Sequence, residues 1–229
     1  MSQVPNYEEK YRAKLQQRAL EQKKESGGLS AKAVEKEKEY DERYSSSNTL
    51  PPTVKTLDQI MRLDLLADRT ASEVGTLWTA YHAGKAGVVA AAIPADTYRQ
   101  LQQTARANPL FVLPLPRKEG VEFFLLQFDY HQVHFTPLAE YKAHGAQARA
   151  VLTLTHYTDL IGRGVVLMRG ELDAAENRAF SVENAQLLAM LTQLFYVSGG
   201  PAKRALVEAF NHRPTEFDYA RVIKAAETM

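Results

Sequence analysis

The sequence predicts an α+β domain: an antiparallel or mixed sheet of about six strands with helices packed on it, preceded by a charged helical N-terminal arm. Three observations carry this. Residues 1–52 are rich in Lys, Glu, Gln, Arg and Ala and poor in apolar side chains, whereas 53–229 is dense in them. Strand-like stretches are then grouped between residues 87 and 171. Helical periodicity returns after them and runs to the end, and strands grouped before helices argue against an alternating α/β layout.

Within the arm, Tyr7, Tyr11 and Leu15 fall at i, i+4 and i+8, followed by Val34, Tyr40 and Tyr44. That stripe is too narrow to bury a helix face unaided. Gly27 and Gly28 divide it, and SSSNTLPP (45–52) closes it as a loop. Residues 53–229 are expected to form a single domain. Its first helix is read over 57–66, entered through Thr56 with Gln59 three residues on; Thr70 and Glu73 repeat that capping pattern. Val74, Leu77, Trp78 and Tyr81 then recur at i, i+3, i+4 and i+7, with Gly84 as the C-cap. GVVAAAI (87–93) reads as a buried strand, and Pro94 opens a helix through Tyr98, Leu101 and Ala105.

Five further strands are expected at 109–116, 121–128, 131–137, 150–157 and 164–171. RKEG (117–120) has hairpin length, and the link at Asp129 and Tyr130 is as tight. Pro114 and Pro116 place their strand at a sheet edge or end it early. NAQLLAMLTQLFYV (184–197) is apolar nearly all round and should be a core helix, stopped by SGGP (198–201). Pro201 starts the next helix through Leu206 and Phe210. Pro214 is expected in the first turn of a last helix carrying Phe217, Tyr219, Val222 and Ile223.

Composition narrows the chemistry. The chain has 229 residues, 45% hydrophobic and 24% charged, which suits one globular domain with an extension. Its net charge is +1, from 28 basic and 27 acidic residues, so a nucleic-acid partner is not expected. With no cysteine, disulfides, thiolate metal sites and a thiol nucleophile are excluded. No apolar run approaches the roughly 18 residues of a membrane span, so a soluble chain without membrane insertion is expected. The start, MSQVPNYEEKYRAKL, has no apolar signal core and carries Glu8 and Glu9, unlike a basic presequence. Either no cleaved targeting segment exists or the numbering begins after its removal.

No phosphate-cradling motif occurs, so neither nucleotide nor other cofactor is expected; GRG (162–164) joins two strands and reads as a turn. His131 and His134 on one strand would point to opposite faces and could not share a metal ion. His156 and Asp159 could pair as acid and base, but no G-x-S-x-G nucleophile accompanies them. Asp64 and Asp68 are read as solvated helix charges. The stretch AFNHRPTEF (209–217) leaves two readings open. Phe210, Asn211, His212, Arg213, Pro214 and Phe217 could form a corner that grips another protein, Arg and aromatics being the usual anchors. Alternatively both Phe are core and His212 and Arg213 hydrogen-bond helix ends; spacing alone favours this second reading.

The ordered set LDQIMRLDLLADRTASEVGTLWTAYH (57–82), IPADTY (93–98), LPRKEGVEFFLLQF (115–128), HFTPL (134–138), GVVLMRGELD (164–173), QLFYV (193–197) and VEAFNHRPTEFDY (207–219) resembles one family. It is the family of mitochondrial ATP synthase assembly chaperones that bind the β subunit of the catalytic head. The resemblance covers essentially 57–223; the arm shares only its charged helical character and Tyr-containing start. It implies a non-enzymatic, monomeric chaperone of the mitochondrial matrix that shields the unassembled β subunit until the α subunit joins it. The gripping residues it implies are the 210–214 corner, Phe217, and Arg117, Lys118 and Glu119. A generic interaction module with another client is the alternative.

Overall fold

The computed structural model describes residues 50–173 and 180–228. The arm expected before them lies, up to residue 49, outside the described residues. The helix expected over 57–66 is two pieces: α1 (Leu57–Ile60) and a 3-10 turn (Leu63–Leu66). Met61 between them is extended, at φ −140 and ψ 138, which turns Leu57 and Leu66 onto the same core while Leu65 points outward. Helix α2 (Ala71–His82) begins with the expected box: Thr70 Oγ1 accepts from Glu73 N–H at 3.3 Å and Glu73 Oε2 accepts from Thr70 N–H at 2.8 Å. Gly84, at φ 77, follows its end as expected. Of the four apolar residues assigned to this helix, Val74 and Trp78 are buried but Leu77 and Tyr81 are exposed. The inward stripe is therefore narrower than the periodicity predicts.

Six strands form one antiparallel sheet in the order β1-β6-β5-β4-β3-β2. They are β1 (Val88–Pro94), β2 (Leu110–Arg117), β3 (Gly120–Asp129), β4 (Gln132–Pro137), β5 (Leu152–Tyr157) and β6 (Val165–Leu172). This settles the choice between antiparallel and mixed, since every pairing is antiparallel. Strands β2 to β6 run as a meander across the sheet and bring β6 back beside β1. Helix α3 (Ala95–Ala107) carries the chain from the β1 edge to the β2 edge, so the first two strands in sequence are the farthest apart in space. The edge position inferred from Pro114 and Pro116 holds: among the described residues β2 pairs only with β3, and proline there removes donors no second neighbour needs. Both tight hairpins form, with Arg117 opposite Gly120 and Asp129 opposite Gln132. Tyr130 takes φ 61 in the second of these turns.

Strand β6 sorts its side chains by parity. Val166 and Met168 join the main core with α3, α5 (Val182–Gln193), α6 (Gly200–His212) and α7 (Tyr219–Glu227); Val165 and Leu167 face Leu57, Leu66, Val74 and Trp78 on the opposite side. The indole of Trp78, fully buried, donates to the Met168 carbonyl at 2.9 Å and so pins α2 to the sheet. Helix α4 (Leu138–His144), not foreseen, directly follows β4 with Pro137 at its N-cap. The helix expected over 184–197 widens at Leu194–Ser198 into a π turn, where Gly199 N–H reaches the Leu194 carbonyl at 2.7 Å. A Cβ at Gly199 would stand 2.4 Å from that oxygen, so glycine is required there. Pro214 does not begin the last helix: it lies in a turn, and Asp218 caps α7 by accepting from Ala220 N–H at 2.9 Å. An aspartate is the stronger N-cap.

At Gly170 the sheet is at its tightest. A Cβ there would meet Val89 Cγ2 at 2.3 Å and Leu154 Cδ2 at 2.6 Å, from the strands on either side. Gly170→Ala should therefore overpack the core, cost about 1–3 kcal/mol and lower the melting temperature, measured by thermal unfolding followed by circular dichroism.

Candidate interaction surface and buried polar clusters

The corner at 209–217 is built by the end of α6 meeting the β2 edge. Apolar positions Leu206, Val207 and Phe210 press α6 on the sheet. Asn211 sits on that same face, fully buried. Its amide does what a neighbouring strand would do: Nδ2 donates to the Leu110 carbonyl at 2.6 Å and Oδ1 accepts from Leu110 N–H at 3.2 Å. A further bond from Nδ2 to the Val207 carbonyl, 2.8 Å, fixes its rotamer. His212 donates from Nε2 to the carbonyl of Ala107, the last residue of α3, at 2.9 Å. Phe210 is buried and Phe217 half-buried, their rings 4.9 Å apart and nearly perpendicular. They continue through Phe111 on one side and Tyr219 and Phe123 on the other.

Arg213 differs from its neighbours. Its side chain is 49% exposed and pairs with Glu216 at 3.0 Å, itself 60% exposed. Thus Phe210, Asn211 and His212 hold elements together, while Arg213 presents a cation at the surface.

The second predicted group sits at the other end of β2. Lys118 and Glu119 form the exposed hairpin tip. Arg117 is held at Glu122 Oε2 by Nε at 2.7 Å and Nη2 at 2.6 Å, and its guanidinium lies 6.0 Å from the Phe124 ring. With the Asn184 amide oriented so that both its atoms are satisfied, its oxygen accepts from Arg117 at 3.1 Å, tying the hairpin to α5. Leu110 and Arg117 are seven residues apart on a strand rising roughly 3.3 Å per residue. The two groups therefore flank one edge strand, roughly 23 Å apart, and do not converge.

The two histidines have different partners, though not for the reason expected, since only His134 lies on the strand. His134 bonds Thr153 Oγ1 at 3.2 Å, whereas His131 lies in the turn before β4 and its Nδ1 meets the Tyr98 hydroxyl at 2.6 Å. That hydroxyl also accepts from Gln102 Nε2 at 2.6 Å. Burial holds His131 down to about 4. His156 is likewise pushed down to about 4 by burial, and its Nδ1–H donates to the His131 carbonyl at 3.1 Å. His156 and Asp159 do line one cavity of about 310 Å³ with Thr56 and Thr158. Asp159 is exposed, no serine among the described residues lines the space, and the Thr56 hydroxyl is engaged by Asp58. No base-to-nucleophile contact forms there among the described residues. Nor do three His, Asp or Glu side chains gather for a metal ion among them.

A family model described as ATP11 protein matches residues 9–223. The chain is 36% identical over 192 residues to ATP synthase mitochondrial F1 complex assembly factor 1 of Danio rerio, covering 83% of this chain and 62% of that one. To the protein of the same name in Homo sapiens it is 38% identical over 174 residues, 76% of this chain and 52% of the other. Protein atp11, mitochondrial, of Schizosaccharomyces pombe is 29% identical over 235 residues, covering 93% and 80%. The chain thus spans little more than half the length of the two vertebrate relatives.

Two outcomes are expected from these clusters. Asn211→Ala leaves the Leu110 N–H and carbonyl buried without partners and should cost about 2–4 kcal/mol, measured by urea unfolding. The two histidines give a pH dependence whose sign is fixed: their folded values, about 4, lie below the unfolded 6.5, so the unfolded chain takes up protons first. Stability should be level above neutrality and fall as pH drops below 6.5, by on the order of 2 kcal/mol per histidine at pH 5. Urea unfolding from pH 8 to 5 measures it, and replacing His156 by Gln should flatten the slope.

Proposed function

The chain belongs to the ATP11 protein family, and on that footing we propose that it is a chaperone for assembly of the mitochondrial ATP synthase F1 head. The observation that carries this reading is the family match over 9–223 together with relatives named as assembly factors of that complex. The client we propose is the unassembled β subunit, and the site of action the mitochondrial matrix. A subunit destined for a ring exposes an apolar interface before its neighbours arrive, and such a surface aggregates. A monomeric chaperone covering about 1,200–2,000 Å² of total interface protects it and is still displaced when the α subunit associates more strongly. Release by exchange needs no nucleotide and no chemical step.

Arg213 is the proposed point of contact at the corner, with Lys118 and Glu119 at the other end of β2 as the second. Its pairing with Glu216 is between two largely exposed side chains and contributes at most about 1 kcal/mol to stability. Exchanging Glu216 for a client carboxylate inside a desolvated interface makes the same guanidinium worth about 2–5 kcal/mol on truncation. Arg213→Ala is therefore expected to leave the melting temperature nearly unchanged and to weaken binding to purified β subunit about 30-fold or more. Calorimetric titration and thermal unfolding of the same variant decide it; a lower melting temperature with unaltered binding would remove Arg213 from the contact.

A further inference from the structure

The two edges of the sheet are finished differently. At β2, prolines and the Asn211 amide close the edge. At β1 one proline, Pro94, ends the strand, and among the described residues no side-chain amide pairs with its backbone. Its ladder to β6 is bracketed by Leu172 N–H on the Gly87 carbonyl and Ala95 N–H on the Gly164 carbonyl, both 2.9 Å. With that phase, Val89, Ala91 and Ile93 bond inward to β6, and Val88, Ala90 and Ala92 turn their backbone groups outward. The Val88 N–H is taken by the Lys85 carbonyl at 3.3 Å. The N–H and carbonyl of Ala90 and Ala92 meet no donor or acceptor among the described residues. From Val88 to Pro94 the strand carries no charge, the feature that usually protects an edge.

Cavities flank this edge on both sides. One of about 250 Å³ lies toward α5, lined by Val89, Ala91, Ile93, Leu101 and Val197, with Met190 on its rim 51% exposed. Another of about 450 Å³ lies between the end of α2 and the start of α5, lined by Thr79, His82, Val88, Ala90, Val182 and Gln186. His82 is 4% exposed; its Nδ1–H donates to the Trp78 carbonyl at 2.8 Å, and its Nε2 acceptor has no partner among the described residues.

We infer that the open edge of β1 takes one extended, uncharged segment of the client as a seventh strand, paired through Ala90 and Ala92. This rests on the chaperone reading above. Outward backbone groups select another backbone, and cavities on both faces suit the alternating side chains of a strand. Composition argues against the chain's own arm as occupant: its uncharged stretches up to residue 49 are 1–7, broken by Pro5, and 26–31 and 44–49, made mainly of Ser, Gly, Asn and Thr, while the rest carries a charge every few positions. Geometry excludes a second copy. Paired β1 strands would lie about 4.8 Å apart. Each carries α2 on one face and α5 on the other, and packed helices need about 8–10 Å. The occupant is a strand with no helix over it.

The test is amide hydrogen exchange of the full chain, resolved by residue, with and without purified β subunit. Ala90 and Ala92 should slow at least about tenfold on binding, while Val89, Ala91 and Ile93, already paired, change little. Ala92→Pro removes one outward donor without touching the ladder to β6 and should weaken binding about tenfold. Met190→Lys, at an exposed position, leaves the backbone intact, puts an unpaired charge on the rim, and should act in the same direction if the proline variant fails to fold. Binding of β subunit with no protection at Ala90 and Ala92 overturns the strand site alone. So does protection already present in the free chain, or protection that rises with the concentration of the chain by itself. Failure of the wild-type chain to bind β subunit overturns the client reading and the strand site with it.

Discussion

One side-chain amide, that of Asn211, answers both the donor and the acceptor of Leu110, and much of the molecule hangs on that exchange. An open sheet has two edges whose backbone groups water or protein must satisfy. At the β2 edge water is excluded, because Leu110 through Leu115 are all buried. A helix cannot pair with a strand through its own backbone, which is spent internally. An asparagine on the buried face of α6 supplies the missing amide, and once it does, the rest of the helix is placed. Phe210 is brought over Phe111, His212 reaches the last carbonyl of α3, and the turn beyond Arg213 delivers Phe217 onto the same aromatic chain.

The opposite end of the sheet is organised by Trp78. Its indole reaches a β6 carbonyl through an otherwise apolar layer, while its ring stacks edge-on to Tyr157 at 5.8 Å. His82 follows one turn later and returns a bond to the Trp78 carbonyl, so the end of α2 is fixed from inside. This arrangement holds α2 over β1 without covering the outer rim of that strand. Buried neutral histidines recur in the interior, each bonded through a ring nitrogen to oxygen. They act as polar spacers in a low-dielectric layer, and proton uptake is their only route to charge.

Local rules made much of this legible in the sequence. Strand lengths, both tight hairpins, the Thr70–Glu73 box and the edge placement by Pro114 and Pro116 follow from short-range chemistry, which tertiary packing did not override. What could not be read is non-local. Nothing near residues 88–94 announces that they pair with 165–172, because the register depends on a meander laid down in between. Proline misled at 214, where Asp218 was the stronger cap. The role of Asn211 left one trace: a polar residue four positions after Val207, on the apolar stripe of its helix, which is where a buried amide with a backbone partner belongs. For the corner as a whole, pattern could not separate residues that join elements from a cation turned to solvent, since both kinds are polar and adjacent.

The uncharged rim of β1 sets a ceiling on abundance. Unpaired backbone groups read no side chains, so any uncharged extended segment of another chain competes for that edge. The more of this chain a cell holds beyond its need, the more such segments it would collect. Supply matched to demand follows from seven residues of backbone, Val88–Pro94.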